Sequence, residues 1–275
     1  MNNAFDIYVI NLDKDKSRLD KITRHLSPNK FNRIKAIYGE DYNFYKDDTV
    51  YITCKYFCPK STIGIALSHR LALKTFLDSS DKEYLLLLED DAEPCYENYI
   101  EKINEYIKTA PDDWDIIKLD YEENNISKYI WSSETKNGFT QYYSPRATAQ
   151  IIKRSVIQKI LNSKIYWHCD ADIYFININI YNSPQKVFVQ IWDKNNKSNN
   201  RKKWIYPGTD GDFEVLNFKI IRIGTMEFSA NDIIYLFLFI LLFFLLNRYY
   251  PLDLVMNKFK AVLSSTIHRE PRKFL

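Results

Sequence analysis

The segment Tyr84–Asp91 (YLLLLEDD) constrains this chain most. Four successive leucines leave no polar face, so the run suits a strand buried on both sides. It ends abruptly in three carboxylates, Glu89, Asp90 and Asp91. In open α/β sheets ligands bind at the C-terminal ends of strands, which is where such carboxylates come to lie.

The surrounding sequence supplies partners for that strand. Phe5–Leu12 is rich in β-branched and aromatic residues and reads as a buried strand. Helical spacing over Asp13–Leu26 (Leu19, Ile22, Leu26) is stopped by Pro28. Phe31–Ile37 reads as a second strand followed by a turn over residues 38–41, and residues 42–60 as irregular chain. Ser61 or Thr62 caps a helix through Ile63–Phe76. Tyr96–Thr109 is an amphipathic helix, Trp114–Leu119 a strand and Gln150–Leu161 another helix. Strands alternating with helices predict an α/β fold with a mostly parallel sheet flanked by helices. Asn11 and the acidic triplet both fall at strand ends, which places them in one cleft.

The 275 residues suffice for one large domain plus an appendage, and 46% of them are hydrophobic, enough for a real core. The formal net charge of +3 offers no general attraction to nucleic acid. Cys54, Cys58, Cys95 and Cys169 lack a second pair at zinc-site spacing and read as buried or free thiols. No signal peptide precedes the first strand. Residues 193–203 (DKNNKSNNRKK) read as a solvated linker, and Ile233–Leu246 is apolar all round. At ~1.5 Å per residue that stretch covers about 21 Å, and Arg248, Tyr249 and Tyr250 can complete a membrane span at the interface. A buried core helix or a re-entrant anchor is the alternative. The basic tail places itself in the cytosol and the main domain opposite, whereas the missing signal peptide argues against translocating that domain. The expected division is 1–215 catalytic, 216–231 linker, 232–250 membrane helix and 251–275 basic tail.

Carboxylates at a strand end suit a hard cation that bridges two phosphates. Along an extended chain Glu89 and Asp91 point to one side and Asp90 to the other. This makes Asp91 the expected ligand for Mn²⁺ or Mg²⁺, with Glu89 acting through water and Asp90 turned toward a ribose or sugar.

Several blocks resemble glycosyltransferase family 25, the lipopolysaccharide-type β-galactosyltransferases and collagen hydroxylysine galactosyltransferases. They occur in order: YVINLDKDKSRLDKI with Asn11, Leu12 and Arg18; FNRIKAIYGED; STIGIALSHRLALKTFL with Gly64, Ser68 and His69; YLLLLEDDAEP; WDIIKLD; RATAQIIKRSVIQKILN, where a strand leads into a helix; and DADIYF. Together they cover roughly residues 5 to 190. Two departures are Ala66, where the family often has Cys, and Ser144-Pro145-Arg146, where it usually has Gly before a small-aromatic pair.

The resemblance implies a GT-A type Rossmann-like domain and inverting transfer of galactose or glucose from a UDP-sugar to a glycan, lipid-linked or protein hydroxyl. Inversion needs a base on the acceptor hydroxyl. Asp172 is the first candidate and Asp170 the second, with helix capping as the structural alternative for both. Asn11, Leu12, Arg18, Gly64, Ser68, His69 and Asp90 are the expected nucleotide-sugar contacts. Arg18 equally suits locking the first helix.

Three other readings compete. His168-Cys169-Asp170 has the His-x-Asp spacing of a non-haem iron triad, but its distal histidine would have to be His268, in the tail. A membrane-tethered carbohydrate-binding protein on a transferase fold is the non-enzymatic reading. A nuclease would want a basic stripe with interleaved aromatics, which is absent. Asn125-Ile126-Ser127 and Asn196-Lys197-Ser198 are glycosylation acceptors if lumenal.

Overall fold

A computed structural model describes residues 4–122, 133–144, 146–191, 219–223 and 226–249. Residues 193–203, both glycosylation sequons, Pro145 and the basic tail lie outside these residues. The chain divides into two compact units, residues 1–203 and 204–275.

The first unit is built on one mixed sheet. Its strands are β1 (Phe5–Asn11), β2 (Asn32–Lys35), β3 (Tyr84–Glu89), β5 (Ile116–Lys118), β6 (Ser133–Glu134), β7 (Thr140–Gln141), β8 (Ala149–Lys153) and β9 (Ile180–Asn182). The order across the sheet is β2-β1-β3-β8-β5-β9-β7-β6. β1 lies parallel to β2 and β3, and β5 parallel to β9. β8 runs antiparallel between β3 and β5. A separate pair joins β4 (Ala92–Pro94) to β10 (Phe188–Gln190).

Helices cover both faces: α1 (Lys16–Leu26), α2 (Ile52–Phe57), α3 (Lys60–Ser79), α4 (Tyr99–Thr109), α5 (Arg154–Asn162) and the short α6 (Cys169–Asp172). Alternate residues of β3 point to opposite sides. Leu86 and Leu88 join a core with Ile22 and Leu26 of α1 and Ile103 of α4. Leu85 and Leu87 join a second core with Leu73 and Phe76 of α3 and Ile157 of α5. All four leucines are fully buried, which is why the run carries no polar residue.

Four expectations need correction. Residues 150–153, expected to begin a helix, belong to β8 (Ala149–Lys153), because Ile151 and Ile152 are buried in the sheet. Residues 52–57, expected to be irregular, form α2. The helix expected from Ile63 starts at Lys60 behind Pro59, whose carbonyl accepts from Ile63 N–H; Ser61 and Thr62 lie inside the first turn and do not cap it. Cys54 and Cys58 are joined in a disulfide, four residues apart across the end of α2.

Two glycines set how closely α3 approaches the turn after β2. A Cβ on Gly64 would sit 2.7 Å from both Gly39 N and Ile37 O, and one on Gly39 would sit 1.8 Å from Lys60 O. The obstacles are backbone atoms, so neither position admits a side chain without displacing the helix.

In the second unit, β11 (Lys219–Ile223) pairs antiparallel with β12 (Met226–Ser229), and α7 (Ala230–Tyr249) follows. Phe237, Phe239 and Phe244 of α7 are exposed. Among the described residues no helix is long and apolar enough to cross a membrane.

Truncating Leu87 leaves a cavity that the rigid sheet cannot close. Leu87→Ala is expected to cost about 2–5 kcal/mol of unfolding free energy, read from the urea midpoint at unchanged slope. A loss below about 1 kcal/mol would contradict the two-sided burial of β3.

Candidate active site

The acidic triplet lies where β3 ends, and its carboxylates divide between two sets of partners. Glu89 Oε1 is 3.1 Å from His69 Nε2 on α3. Asp90 accepts from Asn11 Nδ2 at 2.7 Å and from Arg18 Nη1 at 2.9 Å. Asp91 Oδ2 is 3.5 Å from the same Arg18 nitrogen and accepts from Gln190 Nε2 at 3.1 Å. The pleat expectation of Glu89 and Asp91 sharing a side therefore gives way. The strand ends at Glu89, the chain turns, and Asp90 and Asp91 come to share Arg18.

Burial pushes the Asp90 carboxyl up, and Arg18 and Asn11 only partly offset this. Burial, followed by the Glu89 charge, pushes Asp91 up to about 7. Asp91 Oδ1 is buried and has no hydrogen-bond partner among the described residues. An unpartnered buried carboxylate oxygen is costly unless something else fills it. A carboxylate oxygen is the hard donor type that Mn²⁺ or Mg²⁺ takes.

Asn11 is itself fixed. Its Oδ1 accepts from Arg33 Nε at 3.0 Å and its Nδ2 also donates to Asp15 O at 3.1 Å. The Leu12 carbonyl accepts from Asp15 N–H at the entrance to α1. Gly64 and Ser68 are engaged in packing: Ser68 Oγ donates to Gly64 O at 2.6 Å and accepts from Ile37 N–H at 2.8 Å. Together with the glycine contact, this ties α3 to the turn after β2.

On the α3 side of the sheet, a cavity of about 50 Å³ is lined by His69, Lys118, Arg146, Gln150, Asp170 and Asp172 among others. That is room for a few waters, not for a hexose. Asp172 accepts from Tyr166 N–H at 2.8 Å and Trp167 N–H at 3.0 Å. Burial raises its pKa, against the pull of those two amides. Burial also penalises the Asp170 charge, but His168 and then Lys118 hold that carboxyl well below the usual range. Of the two candidate bases, Asp172 is therefore the one whose proton affinity is elevated.

The sequence reading missed three contributors. Lys118 is fully buried, donates to Ser144 O and lies 5.0 Å from the Tyr174 ring centre. Burial lowers its pKa to about 8. Its signal was a lysine set between Ile117 and Leu119 in the strand segment WDIIKLD. Arg146 pairs at 3.3 Å with Asp120, a fully buried carboxylate. Gln190 had no local signal, because only the β4–β10 pairing brings it to Asp91.

The family model described as Glycosyltransferase family 25 (LPS biosynthesis protein) matches residues 4–181. The chain belongs to this family. It is a glycosyltransferase. No curated protein matches the chain. Among solved structures it is similar to A197 from STIV, at 14% identity and TM-score 0.38, over 69% of this chain and 94% of that one. It is also similar to a glycosyltransferase involved in glycosylation of the major capsid of PBCV-1, at 12% identity and TM-score 0.29, over 57% and 63% of the two chains. A third is a mutant Drosophila β-1,4-galactosyltransferase 7 in complex with manganese, UDP-Gal and xylobiose, at 10% identity and TM-score 0.34, over 70% and 72%. Likenesses this low carry no argument about this chain's substrates.

Lys118 gives a pH signature. Below about pH 8 the lysine is protonated in the folded and unfolded chains alike, and the full cost of burying its charge is present. Between about 8 and its ordinary value the unfolded chain binds more protons, so stability rises with pH. The rise is expected to total roughly 3 kcal/mol and to be missing in Lys118→Met. Urea midpoints at pH 7.5 and 10 check this; equal pH dependence in the two proteins would refute it.

Proposed function

We propose that this transferase moves a hexose, galactose or glucose, from a UDP-sugar to a hydroxyl of a glycan, lipid-linked or protein acceptor with inversion at the anomeric carbon. The observation that carries the reading is the buried Asp91 oxygen just past the end of β3, which has no hydrogen-bond partner among the described residues, in a chain of this family.

In this reading Asp91, with Glu89 near it, holds Mn²⁺ or Mg²⁺, which when bound offsets charge on the departing diphosphate. Arg18 adds a fixed positive charge beside the same carboxylates, and Asn11 orients Asp90 toward the nucleotide sugar. Asp172 takes the proton as the acceptor oxygen bonds to the anomeric carbon and the bond to the diphosphate breaks. His69 holds Glu89, while Gly64 and Ser68 support the site by fixing α3.

The test is UDP release from a panel of UDP-sugars, with and without Mn²⁺, in the intact protein and in Asp91→Ala. One donor should give metal-dependent release, lost by a factor of ~10² or more in Asp91→Ala. Asp172→Asn should lose transfer while UDP binding persists. A folded protein with no turnover and no metal-dependent UDP binding would leave the alternative reading of an inactive carbohydrate-binding protein.

The reading also attaches the chain to a membrane through α7, supported by its exposed apolar side chains. The intact chain should float with liposomes, and a Phe239→Asp/Phe243→Asp variant should not. Equal flotation of both would remove α7 as the anchor.

A further inference from the structure

Sulfur and nitrogen donors that the transfer reaction does not use gather beside Asp172. Cys54 and Cys58 are buried in a small cluster with Phe44, Val50 and Ile165, and Cys169 packs against that cluster. The Cys54 and Cys58 sulfurs lie 3.7 and 3.6 Å from the Trp167 carbonyl oxygen, immediately before His168. Cys169 is a free thiol. Its Sγ is 3.8 Å from His168 Nδ1 and 3.2 Å from Asp170 Oδ1. One donor atom from each of His168, Cys169 and Asp170 falls within a 4.8 Å sphere of mutual distances.

The two distances from Cys169 Sγ match a metal's coordination shell, while His168 and Asp170 pair directly with each other and would have to part to admit an ion. Bonds of about 2.0 Å to nitrogen and 2.3 Å to sulfur place tetrahedral ligands roughly 3.3–3.8 Å apart. The Cys-x₃-Cys spacing of Cys54 and Cys58 also falls in the zinc-site range. What the sequence lacked was a second ligand pair nearby; the fold supplies one from residues 168–170.

We propose that His168, Cys169 and Asp170, together with Cys54 and Cys58 in their dithiol form, make a site for a borderline-soft divalent cation of the zinc class, gated by the oxidation state of the cysteine pair. The site differs in chemistry from the all-oxygen set around Asp91. In the disulfide form Cys54 and Cys58 offer no thiolate, and His168 pairs with Asp170 instead. A dithiol reductant supplies two electrons and two protons, becomes a disulfide itself, and leaves Cys54 and Cys58 as two thiols. Each thiol that then binds the cation releases its proton to solvent.

Cys95 is an exposed free thiol and serves as an internal control. The full chain, reduced and desalted, is treated with a thiol alkylating agent with and without Zn²⁺, and each cysteine is followed by peptide mass spectrometry. Zn²⁺ should slow modification of Cys54, Cys58 and Cys169 by about 10-fold or more and leave Cys95 unchanged. Equal rates with and without zinc, or equal slowing of Cys95, would overturn the site. Independently, Co²⁺ added alone to the reduced chain should give a thiolate-to-cobalt charge-transfer band. The band should be absent from the disulfide form, retained in Asp91→Ala, and weakened about 10-fold or more in apparent affinity in Cys169→Ser. A reduced wild-type chain that gives no band refutes the proposal, whatever the variants do.

Discussion

Arg18 is the interaction on which the catalytic end of the sheet depends. Three adjacent carboxylates at the end of a buried strand repel one another and lose hydration, a cost that nearby positive charge must offset. Arg18 projects from the first turns of α1 and reaches both Asp90 and Asp91. Its helix is held by Ile22 and Leu26 against the core under Leu86 and Leu88 of the same β3 strand. The packing that buries the strand thus also delivers the charge that makes its acidic end tolerable. Even so Asp91 keeps a raised proton affinity and an unfilled oxygen, the state expected of a carboxylate arranged for a partner that is not part of the chain.

The sheet's other face is organised by different means. There the polar groups sit in local pairs: His69 with Glu89, Arg146 with Asp120, His168 with Asp170. Asp172 stands apart, since its carboxylate is held by two backbone amides of the preceding loop. Amides orient a carboxylate without supplying a full counter-charge, so burial still raises its pKa. One face fixes carboxylates beside a permanent cation, and the other keeps a carboxylate able to accept a proton.

Much of this was legible in local pattern. The four leucines announced a strand buried on both sides, and the meeting of Asn11 with the triplet followed from their both ending strands. What escaped reading depended on contacts distant in sequence. By periodicity alone residues 150–153 looked helical, because the apolar spacing of α5 runs straight back into them; the family resemblance placed a strand ahead of that helix, and insertion between β3 and β5 makes it one. The division of the triplet escaped because pleat alternation holds only while the strand continues, and it stops at Glu89. Gln190 reaches Asp91 across 99 residues of chain, and no short-range periodicity records such a contact. The Cys54–Cys58 pair was visible as a spacing, but its bonding depends on how α2 ends.

The contact between Gly39 and Gly64 has a consequence for how this family member can diverge. Gly64 leaves room for the backbone of Gly39 and Ile37, and Gly39 for that of Lys60, so substitution at either is blocked by main chain that cannot rotate aside. Helix α3 and the turn after β2 therefore behave as a single inherited part. A side chain at either position would push α3 away from that turn and carry His69, and its contact with Glu89, along with it.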